Sequence, residues 1–114
     1  MIIYHNPRCS KSRQTLALIE ENGVTPEVVE YLKTPLSAAE LKDIVTKLGV
    51  TVRDIIRNKE TEFKDNGLND TSLSDDAIYR VLANTPKLVE RPIVVKGEKA
   101  VIGRPPENVL ELLK

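Results

Sequence analysis

The stretch Ile2-Ile3-Tyr4-His5-Asn6-Pro7-Arg8-Cys9-Ser10-Lys11-Ser12-Arg13-Gln14-Thr15-Leu16 decides how the chain folds. Ile2 to His5 is a short apolar run of β-branched and aromatic side chains closed by Asn6-Pro7, and it reads as a buried strand followed by a turn. From Ser10 the spacing becomes helical. Leu16, Leu18 and Ile19 face a core, Glu20 and Glu21 point outward, and Asn22-Gly23 is the stop. Cys9 therefore stands where a strand end meets a helix N-terminus.

Working outward, Glu27 to Tyr31 reads as a second strand. Thr34-Pro35 breaks the chain before Ser37-Ala38-Ala39-Glu40, a capping box with Leu36 and Leu41 as its staple, which predicts a helix over 37–48 stopped by Gly49. Val52 to Arg57 reads as another short helix. Asn58 to Thr71 has only Phe63 and Leu68 as large apolar anchors and reads as an irregular, mobile loop. Ser74, with Leu73 before it and Ile78 four positions on, starts a helical segment that Thr85-Pro86 ends, with Ala77, Ile78, Val81 and Leu82 as its apolar face. Ile93-Val94-Val95 and Ala100-Val101-Ile102, separated by Lys96-Gly97-Glu98-Lys99, form an antiparallel hairpin. Pro105-Pro106 leads into a C-terminal helix with Val109, Leu110, Leu112 and Leu113 in its stripe. The order β-α-β, helical block, hairpin and helix predicts an α/β fold, a four-stranded mixed sheet flanked by helices. This is the order of a thioredoxin-like fold with a helical insertion after the second strand.

Composition bounds the function. A chain of 114 residues supports one domain, residues 1–114, and 17 Lys+Arg against 17 Asp+Glu leave no basic excess for nucleic acid. One cysteine excludes an internal disulfide framework, and with one histidine it falls short of a metal site, so neither a metal nor a bound cofactor is expected. No apolar run approaches the roughly 20 residues that cross a bilayer, and the start lacks the features of a signal peptide. A cytoplasmic protein without a membrane partner is expected.

Cys9 is flanked by Pro7-Arg8 and Ser10-Lys11-Ser12, where an inert core cysteine would sit inside an apolar periodic run. Helix N–H groups, the positive end of the helix dipole and the cations Arg8, Lys11 and Arg13 should lower its pKa below the free-thiol value of about 8.5. The same helix start, with Ser10, Ser12 and Arg13, offers donors to a tetrahedral oxyanion. Cys9-Ser10-Lys11-Ser12 is a Cys-x-x-Cys pattern with serine in the second place, so a redox cycle must borrow an outside thiol. His5 suits a supporting role, holding the loop or favouring the thiolate. Arg91, before Pro92 at the hairpin entrance, and Arg104, at its exit, flank the sheet end, and Pro92 is the natural place for a cis peptide. Arg57 closes the short helix, and Arg53, one turn away, reads as a solvated surface charge.

His5-Asn6-Pro7-x-Cys9-x-x-Ser12-Arg13-x-Thr15-Leu16, Glu90-Arg91-Pro92-Ile93 and Gly103-Arg104-Pro105 together resemble the glutaredoxin-coupled arsenate reductases, a thioredoxin-like family. The resemblance runs over essentially the whole chain. It implies that the Cys9 thiolate attacks arsenate, that glutathione joins as co-substrate to give an arsenic–sulfur adduct, and that glutaredoxin resolves the mixed species while arsenite leaves. Carried over by position, Cys9 is the nucleophile, Arg57, Arg91 and Arg104 bind the oxyanion, His5, Ser12 and Arg13 support the loop, and Pro92 is the cis proline beside the site. The sequence departs from the best-known members at Ser10-Lys11, where a Gly-Thr pair is common. Two other readings stand beside this one: a monothiol reductase of glutathione or protein mixed disulfides, and a non-catalytic module related to regulators that dock on RNA polymerase.

Overall fold

The computed structural model describes residues 1–114. In chain order its elements are β1 (Ile2–Tyr4), α1 (Ser10–Glu21), β2 (Glu27–Val29), α2 (Ala38–Leu48), a 3-10 turn (Val52–Ile55), α3 (Thr61–Asp65), α4 (Asp75–Asn84), a 3-10 turn (Pro86–Leu88), β3 (Ile93–Lys96), β4 (Lys99–Ile102), a 3-10 turn (Pro106–Val109) and α5 (Leu110–Leu113). They form two compact units: Met1–Thr34 with Arg91–Lys114, and Pro35–Glu90. No helix is long and apolar enough to cross a membrane.

The first unit holds the four-stranded mixed sheet of a thioredoxin-like fold, in the order β2-β1-β3-β4. β1 pairs in parallel with β2 (Ile3 opposite Val28) and antiparallel with β3 (Ile3 opposite Val94), and β3 pairs antiparallel with β4. Central β1 buries Ile3 completely, and Ile3, Ile19, Val94, Val109 and Leu112 form the core that ties α1 and the C-terminal turn to the sheet. Each such side chain contributes roughly 1.5–3 kcal/mol on leaving water. Both predicted strand ends recede. β1 ends at Tyr4, with one more bond to its neighbour from the His5 N–H to Val29 O at 2.8 Å, and β2 stops at Val29, where Glu30 O turns back to the N–H groups of Lys33 and Thr34. Gly97, at φ +60, makes the left-handed turn that joins β3 to β4. The predicted C-terminal helix is a 3-10 turn followed by one α turn, and Leu110, 37% exposed, lies outside its buried stripe.

The second unit is the helical insertion, residues 35–90. Its first helix starts as the sequence requires: Ser37 Oγ accepts the Glu40 N–H at 3.1 Å, Glu40 Oε1 accepts the Ser37 N–H at 3.1 Å, and the staple pair Leu36 and Leu41 is buried. Gly49, at φ +70, caps its C-terminus in the left-handed region. The helix expected over Val52 to Arg57 is one 3-10 turn, because Ile56 takes an extended conformation and bridges Val89. α4 buries Ile78, Tyr79 and Leu82, so Tyr79 replaces Val81 on the predicted face.

The segment Asn58 to Thr71 is not irregular throughout. It contains α3, buries Leu68 fully, and is anchored by Arg53, whose Nη1 donates to Leu68 O and Nη2 to Asp70 O, both at 2.8 Å. Arg53 is therefore a structural cross-link and not the solvated charge that the sequence suggested. Its acceptors are backbone carbonyls fifteen and seventeen residues away, which no local pattern announces.

Candidate active site

The strand-to-helix junction is built by its own backbone. Asn6 O accepts the Cys9 N–H at 3.0 Å, Asn6 Oδ1 accepts the Arg8 N–H at 3.0 Å, and Cys9 O accepts the Arg13 N–H at 3.0 Å as the first bond of α1. Cys9 is thus the N-cap residue of α1, in extended conformation and half-buried. A small polar side chain at this position lies among the unpaired N–H groups of the first helical turn.

Ser12 and His5 brace the loop from below. Ser12 is fully buried, and its Oγ accepts the Asn6 N–H at 3.0 Å and lies 2.6 Å from His5 Nδ1. Its hydroxyl is therefore occupied, which corrects its expected use as an oxyanion donor. Arg13 folds back on the same loop, its Nη1 donating to Pro7 O at 2.9 Å. His5 is buried, and burial lowers its pKa against the raising influence of Glu30, with the charge of Arg13 lowering it further. A neutral imidazole beside a serine hydroxyl holds the two sides of the loop together.

Burial pushes the Cys9 thiol up, but the backbone N–H of Ser12, the charge of Arg91, the N–H of Lys11 and a hydrogen bond from the Arg91 side chain outweigh it and hold the pKa below the usual thiol value. The direction is the one expected. The cation responsible is Arg91, from the far end of the sequence, and not Arg8, Lys11 or Arg13. Arg104 completes the group: its Nη1 stands 4.0 Å from Cys9 Sγ and 3.5 Å from Arg91 O.

The Arg91-Pro92 peptide is cis, as the sequence suggested, and Arg104-Pro105 is cis as well. Between these two segments lies a contact that sequence reasoning missed. Gly103 donates its N–H to Pro92 O at 2.9 Å, and its carbonyl accepts from Thr15 Oγ1 at 3.4 Å. A Cβ on Gly103 would collide with Thr15 Oγ1 and come within 2.8 Å of Pro92 Cγ. The missing side chain at Gly103 thus lets α1, the Pro92 segment and the Arg104 turn come together. The signal available in the sequence was a glycine immediately after a strand and before the arginine.

The structure thus brings together Cys9, Arg91 and Arg104, with His5, Ser12, Arg13 and Pro92 around them. Arg57 belongs to the second unit. It lies two residues beyond the 3-10 turn, with its N–H on Leu88 O at 2.8 Å and its Nη2 on Glu60 Oε1 at 2.8 Å. An activated sulfur with two guanidinium groups beside it can attack an electrophilic centre that carries negative oxygens.

Comparison with known proteins points the same way. The ArsC family model matches residues 4–112. An uncharacterized protein of Escherichia coli strain K12 is 56% identical over 112 residues, covering 97% of this chain and 94% of that one. The arsenate reductase of Neisseria meningitidis serogroup A strain Z2491 is 50% identical over 112 residues, covering 97% and 96%. The structure of an arsenate reductase from Vibrio cholerae, 53% identical, superposes with a TM-score of 0.94 over 96% of this chain and 94% of that one.

Proposed function

Because the chain belongs to the ArsC family, we propose that residues 1–114 act as a single arsenate reductase domain in which Cys9 is the nucleophile. The observation that supports this most is the convergence on one sulfur of the α1 N-terminus, Arg91 and Arg104. Arsenate carries its charge on tetrahedral oxygens, and guanidinium groups neutralise it so that a thiolate can approach.

The Cys9 thiolate forms a bond to arsenic as one oxygen is protonated and leaves as water. Reduction of As(V) to As(III) takes up two electrons, which two sulfurs release when they join as a disulfide. The net change is arsenate plus two thiols giving arsenite, a disulfide and water. With one cysteine in the chain, the second sulfur comes from outside. Glutathione is the proposed co-substrate, and glutaredoxin the partner that resolves the mixed disulfide and returns Cys9 to its thiol.

An omission series tests the donor. The protein is mixed with arsenate, glutathione, glutaredoxin, glutathione reductase and NADPH, and arsenite is quantified beside NADPH consumption. Turnover should need arsenate and glutathione, and fall at least tenfold without glutaredoxin. Arsenite formation that persists with another thiol system in place of both would overturn the donor assignment and leave the reductase reading intact. Absence of arsenite, with reduction of a glutathione mixed disulfide instead, would establish the monothiol reductase.

A further inference from the structure

The Arg104 turn leaves the sheet at its edge. β4 ends at Ile102 and pairs with β3 on one side only, so no second strand holds the chain where it turns toward Cys9. Gly103-Arg104-Pro105-Pro106 follows, and the two prolines have no N–H to offer the carbonyls before them. A side chain supplies the donors instead. Asn108 Nδ2 donates to Ile102 O at 3.1 Å and to Arg104 O at 3.3 Å, the carbonyls that bracket the Gly103-Arg104 segment. The backbone adds bonds from the Arg104 N–H to Ile102 O at 2.9 Å and from the Asn108 N–H to Pro105 O at 3.0 Å.

Asn108 is exposed and lies in the 3-10 turn Pro106–Val109, and the next residue, Val109, is fully buried with Ile3, Ile19 and Val94. Its amide therefore ties the Arg104 turn to a backbone anchored in the core. Arg104 Nη1 stands 4.0 Å from Cys9 Sγ, and a shift of about 1 Å in the backbone that carries it would misplace its donors for an oxyanion at the sulfur. A long arginine side chain also loses much rotamer freedom when it grips an anion, and a fixed Cα leaves less to be ordered at that moment. We propose that Asn108 is a positioning residue for the oxyanion site, its amide holding the Arg104 turn so that the guanidinium stands beside Cys9 before the anion arrives. This rests on the reading that Arg104 binds the oxyanion.

The test is arsenate protection of Cys9 from iodoacetamide, with no other thiol present, for the wild type, Asn108→Leu, Asn22→Leu, Arg104→Gln and the Asn108→Leu/Arg104→Gln double variant. Leucine keeps roughly the size of asparagine and removes both amide donors. Asn22→Leu is the control: Asn22 Nδ2 donates to Leu18 O at 2.8 Å, so this variant loses an exposed amide-to-carbonyl bond of the same kind at the opposite end of α1 from Cys9. Asn108→Leu should raise the half-protecting arsenate concentration about three- to tenfold, the worth of one ordinary hydrogen bond, and KM for arsenate in the coupled assay should rise with it. Asn22→Leu should stay within about 1.5-fold of the wild type, as a surface substitution away from the site. In the Arg104→Gln background Asn108→Leu should have no further effect, because the group it positions is gone. An unchanged half-protecting concentration in Asn108→Leu, an equal rise in Asn22→Leu, or a full additional rise in the Arg104→Gln background overturns the positioning role while Arg104→Gln by itself still weakens protection. If Arg104→Gln leaves protection unchanged, the assignment of Arg104 to the oxyanion fails, and the proposal with it.

Discussion

Cys9→Ser is expected to abolish arsenate-dependent NADPH consumption and arsenite formation, a loss of at least about a thousandfold by comparison with other enzymes deprived of a covalent nucleophile. The substitution exchanges sulfur for oxygen at an N-cap, where serine is well tolerated, so the fold should be unchanged by circular dichroism and thermal melting. The neighbours of the site also survive: His5, Ser12 and Asn6 bond one another without using the sulfur. What disappears is the group whose ionisation the helix start and Arg91 favour. A serine hydroxyl in the same place stays protonated near neutral pH and cannot form the disulfide that delivers electrons. Residual turnover above about one part in a hundred would mean that another group attacks arsenic.

The second large effect is at Arg91. Arg91→Gln removes a side-chain charge that lowers the Cys9 pKa and a donor beside the place where oxyanion charge collects. Loss of one such preorganised donor costs about a hundred- to a thousandfold in rate, and that range is expected in kcat/KM for arsenate. The pH dependence separates the two roles. Cys9 is reactive as the thiolate, which is present above its pKa, so a lowered pKa extends reactivity toward lower pH. Iodoacetamide alkylation of the wild type should reach half its plateau at a pH below the ordinary thiol value, and Arg91→Gln should move that midpoint upward. Arg91→Lys should restore much of the midpoint, which depends on charge, and less of kcat/KM, which also depends on the planar fork of donors. A midpoint that does not move in Arg91→Gln would contradict the electrostatic account of the thiolate.

How much of this was legible in the sequence depended on the range of the interaction concerned. The capping box at Ser37 and Glu40, the glycine stop at Gly49, the hairpin around Gly97 and the cis Arg91-Pro92 bond are specified by residues within a few positions of one another, and the structure has them. The mixed sheet followed from the order of elements. The misreadings arise where the partner lies far off in the chain. Arg53 looked solvated because its acceptors, Leu68 O and Asp70 O, are carbonyls and carry no sequence signal. Ser12 is the exception, misread within its own loop: it looked like an oxyanion donor, whereas its Oγ accepts the Asn6 N–H and meets His5 Nδ1. The cation that acts on Cys9 is not one of its three sequence neighbours but Arg91, which the pairing of β1 with β3 brings to the same sheet end. Sequence proximity identified the reactive atom and the helix N–H groups that favour its thiolate, and missed the contribution of Arg91.

The central claim is that the nucleophile and the oxyanion site coincide at Cys9, Arg91 and Arg104. Arsenate protection of Cys9 tests it most directly, because it asks for binding at the sulfur without asking for catalysis. The protein is alkylated with iodoacetamide at fixed pH and ionic strength over a range of arsenate concentrations, with no other thiol present, and modification of Cys9 is followed by peptide mass. The rate should fall saturably with arsenate, and the half-protecting concentration should rise in Arg91→Gln and Arg104→Gln. Chloride at matched ionic strength should give no protection. An alkylation rate independent of arsenate, in a protein whose thiol titrates below the ordinary range, would show that the activated sulfur and the anion site are separate, and would contradict the account.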